Sequence, residues 1–157
     1  MKRSFAALCV FLLLASAAPA ADDKPVKPSN KEKCPVCGMF VAKYPDWIGR
    51  ITFKDGTMAF FDGAKDLFKY YFNLKKYRPG KTAADIQAIH VTEYYQLKDF
   101  NARQAFFVFG SDVYGPMGRE LIPFAKEQDA KVFMKDHQGK KIVRFDEINP
   151  LVIEKLD

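Results

Sequence analysis

Three sulfur-bearing side chains fall close together in this chain: Cys34, Cys37 and Met39, in the string Cys34-Pro-Val-Cys-Gly-Met39. Thiolate and thioether donors prefer a soft ion such as Cu(I) to the hard cations that seek carboxylate oxygen. Gly38 gives the backbone the freedom to fold round an ion. Other candidate donors are Met58, Met117, Met134, His90 and His137. Met117 stands in Gly115-Pro116-Met117-Gly118, a turn sequence where a large apolar side chain has no evident core partner. It is read as a ligand, against the alternative that it caps a core edge. Met58 and Met134 fall on the apolar faces of an expected strand and helix and should pack. His90 in a strand and His137 near a helix end are expected to be satisfied or surface histidines.

The Cys pair has rival readings. Cys34 and Cys37 could form a tight structural disulfide, although one such loop cannot staple a whole fold. They could act as a thiol/disulfide oxidoreductase, but that chemistry wants the pair at a helix N-terminus after a strand, and no clear strand precedes them. Half a zinc site is a third possibility, disfavoured because the sequence has no second Cys pair and only the two His to complete it. Acid–base catalysis finds no support: there is no nucleophile elbow and no phosphate-cradling Gly loop. Asp62, Asp66 and Asp112 read as caps and turn residues, and Lys65-Asp66 as part of a solvated helix face. The chain therefore reads as a binding protein, not an enzyme. An exposed, under-coordinated site beside a flexible leader would hand its metal on by ligand exchange.

The elements that must position these residues follow from hydrophobic period and turn chemistry. Residues 47–53 alternate loosely, Asp55-Gly56 is a hairpin turn signal, and residues 57–61 return as a second strand. Apolar residues at helical spacing mark a helix over 64–74, with Asp62 as its expected cap. A strand follows over 89–92, continuing towards Tyr95. The order then recurs: strands at 105–109 and 120–124, a helix over 127–137 ended by Gly139, and a closing strand at 141–145. An offset of 63 residues lays Phe61 on Phe124, Asp66 on Asp129 and Tyr70 on Phe133, which reads as an internal duplication with repeats at about 47–97 and 104–148. The expected fold class is α+β: two strand-strand-helix-strand repeats, each a small sheet with a helix.

The N-terminus reads as an export signal. Lys2 and Arg3 precede an uncharged run over residues 4–18, and Ala18-Pro19-Ala20 offers small residues at a cleavage site. Residues 1–20 are expected to leave as a signal peptide, taking Cys9 with them, so that Ala21 begins a periplasmic protein without stable membrane insertion. No Cys follows the cleavage site to accept a lipid. Residues 21–33 read as a flexible leader and 34–157 as the folded domain. With 15 Phe and 48% hydrophobic residues, the chain has the material for a core. Removing the signal leaves 23 Lys and Arg against 19 Asp and Glu. That surplus is spread along the chain rather than gathered into a nucleic-acid-binding stripe.

The motif Cys34-Pro-Val-Cys-Gly-Met39, Trp47, Phe60-Phe61-Asp62, the Gly115-Pro116-Met117-Gly118 loop and Asp129-Ala130 resemble the NosL family, over about residues 34–148. The resemblance implies an accessory protein of nitrous oxide reductase maturation. Such a protein is a periplasmic carrier that presents Cu(I) to a client copper enzyme or its assembly machinery. It implies a fold similar to the N-terminal part of organomercurial lyase, with Cys34, Cys37, Met39 and Met117 as metal ligands. Many family members are lipoproteins, and this chain departs from them in lacking a lipidation Cys after its cleavage site.

Overall fold

The computed structural model describes residues 26–157; the expected signal peptide and the first part of the expected leader lie outside the described residues. Two 3-10 turns (Val41–Lys43 and Pro45–Trp47) lead into strand β1 (Gly49–Phe53), strand β2 (Met58–Phe61), helix α1 (Ala64–Phe72) and the short helix α2 (Leu74–Tyr77). Strands β3 (Ile86–Thr92) and β4 (Asp99–Asn101) complete the first half. The second half holds strands β5 (Phe106–Gly115) and β6 (Gly118–Phe124), helix α3 (Glu127–Asp136), strand β7 (Lys141–Arg144) and helix α4 (Pro150–Glu154). The fold is α+β, with two small antiparallel sheets ordered β2-β1-β3-β4 and β6-β5-β7.

Each half therefore places its first strand at the centre, its second strand on one side, and the strand after the helix on the other. Phe61 and Phe124 are the last residues of β2 and β6, and Asp66 and Asp129 are each the third residue of α1 and α3. The 63-residue offset thus relates the elements as well as the letters.

Strand alternation explains how the halves meet. Successive side chains of a strand point to opposite faces. On β5, Val108 and Phe106 join Ile122, Phe124, Ala130 and Phe133 under α3. Phe107 and Phe109 face the other way, into the larger core of the first half. There Phe107 meets Phe68 of α1 edge-on, with ring centroids 5.5 Å apart. The second sheet is thus covered by its own helix on one face and by α1 on the other.

Several boundaries differ from the sequence reading, each for a local reason. Residues 45–47 form a single 3-10 turn, so β1 begins at Gly49 rather than Trp47. The 64–74 helix breaks at Asn73, whose N–H turns back to the Tyr70 carbonyl. β3 starts earlier and stops at Thr92, because the buried Glu93 carboxylate accepts the Gln96 N–H and turns the chain. β5 runs on to Gly115 through Gly110, whose φ of +77° permits the bend that a side chain would resist. The 115–118 segment is consequently a tight hairpin turn, with Gly115 paired to Gly118. Gln138, with φ of 54°, turns the chain out of α3, and Gly139 then donates its N–H back to the Met134 carbonyl. β4 and α4 were not anticipated. β4 is a short polar edge strand whose Asp99 reaches the buried Arg50 guanidinium at 3.1 Å. α4 is announced by Asn149-Pro150: Asn149 accepts the Val152 N–H, and Pro150 occupies the first turn.

Candidate metal centre

The Cys34–Met39 segment is a closed loop, not part of a free leader. Lys33 and Phe40 pair as an isolated antiparallel bridge, and Val41 donates to the Glu32 carbonyl. Inside the bridge Cys34 N–H donates to the Met39 carbonyl at 2.8 Å, and Gly38 N–H to the Cys34 carbonyl at 2.9 Å. Gly38 takes φ of +80°, a left-handed conformation that glycine adopts without steric cost. Backbone N–H groups of Val36 and Cys37 point at the Cys34 sulfur, and that of Met39 at the Cys37 sulfur. Such a loop presents two sulfurs in one direction with amide dipoles behind them. The expected exposure is not found: Cys34 is 1% exposed and Cys37 half-buried.

What the sulfurs face is the N-terminus of α1. The Cys34 thiol lies 3.4 Å from an Asp66 carboxylate oxygen, and the Cys37 thiol 3.2 Å and 3.4 Å from the two oxygens of Asp62. One ligand atom from each of Cys34, Cys37, Asp62 and Asp66 falls within 4.8 Å of the others. Both carboxylates are almost wholly buried, at 1% and 3% exposure. The reading of Asp62 and Asp66 as caps is therefore corrected. Gly63 is the N-cap of α1 and brings no side chain to cap it, and the two aspartates close over the cysteines instead. The solvated face proposed for Lys65-Asp66 is corrected as well, since Lys65 is 3% exposed.

The place of the missing cap is taken from the other half. Glu120 of β6 is buried, and its Oε1 accepts the N–H groups of Lys65 and Leu121. It satisfies an amide that the first turn of a helix leaves orphaned. A Cβ on Gly63 would come within 2.1 Å of Glu120 Oε2, so the approach requires glycine there. Lys65 answers with its ammonium, which donates to the Met117 carbonyl at 2.7 Å and to the Leu156 carbonyl at 3.3 Å.

Burial governs protonation across this cluster. Desolvation pushes the Cys37 thiol up to about 12, and the neighbouring carboxylates Asp66 and Asp62 add to the effect against the Met39 amide. Burial likewise pushes the Cys34 thiol up, only partly offset by the amides of Cys37 and Val36. Burial raises the Glu120 carboxyl to about 8, against the opposing pull of its two amide donors and Lys65. Both cysteines are free thiols, each donating to a carboxylate. A positive ion is the species this arrangement suits: it would displace the thiol protons and neutralise charge that burial otherwise penalises.

Of the residues singled out from sequence, Cys34 and Cys37 lie in the cluster. Met39 is half-buried and closes the loop through its carbonyl. Met117 is 42% exposed at the hairpin turn and shares with Asp66 the wall of an open groove of about 440 Å³. Met58 and Met134 pack against the two cores. His90 lies 2.8 Å from an Arg50 nitrogen, and His137 stacks on Phe133 beside Asp112. Asp62 and Asp66 are the site residues that sequence reasoning missed. Asp62 precedes the N-cap Gly63 and Asp66 stands in the first turn of α1, and no signal in the sequence joined them to the cysteines.

The sequence profile described as NosL matches residues 25–153. The copper-binding lipoprotein NosL of Stutzerimonas stutzeri is 29% identical over 135 residues, spanning 84% of this chain and 70% of that protein. The crystal structure of the copper chaperone NosL from Shewanella denitrificans superposes with a TM-score of 0.67 at 27% identity. That match covers 82% of this chain and 98% of that one. With its Cys-x-x-Cys loop closed over a helix start and its two antiparallel sheets, the chain belongs to the NosL family.

Proposed function

We propose that this chain is a periplasmic Cu(I) carrier, exported with Ala21 as its first mature residue. It would deliver copper to a client metalloenzyme or its assembly machinery. The family points to nitrous oxide reductase as that client. Cys34 and Cys37 supply thiolates, Met39 and Met117 thioethers, and Asp62 and Asp66 hold the thiols by hydrogen bonds until the ion displaces their protons to solvent. Softness divides the labour: sulfur for Cu(I), oxygen for the hydrogen bonds that orient the thiols. The observation that carries this reading is the convergence of Cys34, Cys37, Asp62 and Asp66 within 4.8 Å.

Two features separate binding from thiol–disulfide exchange. Attacking cysteines in such enzymes have lowered thiol pKa values at helix N-termini. Here both thiols are pushed up and sit in a loop, with the helix start occupied by aspartates. A second metal reading rests on the carboxylates themselves, because two Cys and two Asp also form a four-donor set suited to Zn(II). Anaerobic purification followed by metal analysis and thiol counting separates the three. A copper carrier takes up one Cu(I) equivalent with both thiols reduced. A stoichiometric disulfide without metal would support the oxidoreductase, and retention of zinc against excess Cu(I) the zinc site.

A further inference from the structure

We infer that Lys65, which offers no lone pair to a metal while charged, is the positioning residue that holds Met117 to the metal centre. The inference rests on the copper reading above and deepens it. Lys65 lies on α1 between Asp62 and Asp66, the two carboxylates that face the thiols. Its ammonium reaches out of the first half to the Met117 carbonyl in the β5–β6 turn and to Leu156 near α4, with the Asp157 carboxylate 3.5 Å away. Its own N–H is held by Glu120, three residues beyond Met117. One residue thus ties the β5–β6 hairpin to the helix at two points, the turn through its side chain and β6 through its amide.

The turn has reason to need such a tie. Tyr114 and Met117 are 59% and 42% exposed, and Gly118 turns the chain at φ of +87°. An exposed hairpin tip with little apolar burial is the kind of segment that moves freely unless polar contacts fix it. An ammonium, with three donors on a flexible stem, can hold two carbonyls and still meet a carboxylate. Lys65 itself is 3% exposed, which limits the water that competes for those contacts. The residue one helical turn on, Lys69, pairs with the same Asp157 but is not bonded to the turn.

The test is a double-mutant cycle on the full mature chain, read as Cu(I) affinity against a chromophoric chelator. Lys65→Leu removes the ammonium without adding a sulfur that Cu(I) could take as a ligand. It should weaken Cu(I) binding by roughly tenfold or more, as loss of a partner that orients a ligand does. Met117→Leu should weaken it too, and the double variant should be no worse than Met117→Leu alone. Lys69→Leu should bind as wild type. X-ray absorption should count one fewer sulfur on copper in Lys65→Leu. If Lys65→Leu does not fold, Lys65→Gln, which keeps an N–H donor, is expected to bind between wild type and Met117→Leu. Losses that add in the double variant, or wild-type affinity in Lys65→Leu, Lys65→Gln or Met117→Leu, would overturn the positioning role. Wild-type affinity in Cys34→Ser would instead overturn the copper reading beneath it.

Discussion

Cys34 and Cys37 were legible because adjacency in sequence is enough to make them a pair, and the loop geometry follows from Gly38. Asp62 and Asp66 were not. They lie 25 and 32 residues from their cysteine partners, and an aspartate at a helix start is ordinarily a cap. Nothing local distinguishes an aspartate that caps from one that turns inward to meet a thiol. The protonated thiols have a consequence for copper. Cys37 is pushed up to about 12 and Cys34 is raised too, so at neutral pH both carry their protons until a metal displaces them. Each proton released on binding favours the bound state more as pH rises. Cu(I) affinity should therefore climb between pH 6 and 8, by up to about tenfold per pH unit for each ligating thiol. Chelator competition across that range checks it. A flat profile would mean that the thiols are not the ligands.

At the scale of elements, the period of the apolar residues located both long helices and the central strands, and Asp55-Gly56 located the hairpin between β1 and β2. What escaped is what polar tertiary contacts decide: the edge strand β4 held by Asp99, and the start of α1 held by Glu120. A buried glutamate on β6 cannot be read from its neighbours as the cap of a helix in the other half. That contact makes stability depend on pH. The Glu120 carboxyl is ordinarily near 4.5 and is raised to about 8 by burial, so the folded state holds a proton that the unfolded chain gives up. Stability fully present below about 4.5 is lost as pH rises through about 8, on the order of a few kcal/mol. Urea midpoints from pH 5 to 8.5 should fall, and Glu120→Gln, which keeps the acceptor, should flatten the slope. An unchanged slope in that variant would show that Glu120 is not the titrating group. Gly63→Ala probes the same contact sterically. Because φ there is 178°, the backbone tolerates alanine, and the expected loss of about 1–3 kcal/mol comes from the clash with Glu120.

Over the whole molecule, the repeat predicted two similar halves, but not how they share a core. That depends on β5 being covered on both faces, with Phe107 against Phe68 of α1 and Val108 under α3. The alternation is visible in Phe106-Phe-Val-Phe109 only as an unbroken apolar run, which fits a strand buried on both sides without naming its partners. The consequence is functional. Packing the second sheet on α1 brings Met117 of one half to Lys65 and Asp66 of the helix in the other, with Lys65 52 residues away in sequence. Among the described residues no helix is long and apolar enough to cross a membrane. The claim that ties these scales together is that one Cu(I) binds at the junction through Cys34 and Cys37, with Met117 from across it. Anaerobic Cu(I) titration against a chromophoric chelator tests this most directly, using wild type, Cys34→Ser, Cys37→Ser, Met117→Leu and Met134→Leu. The account predicts one tight equivalent in wild type and Met134→Leu, weaker binding in Met117→Leu, and the largest losses in the two Cys variants. Wild-type affinity in both Cys variants would contradict it.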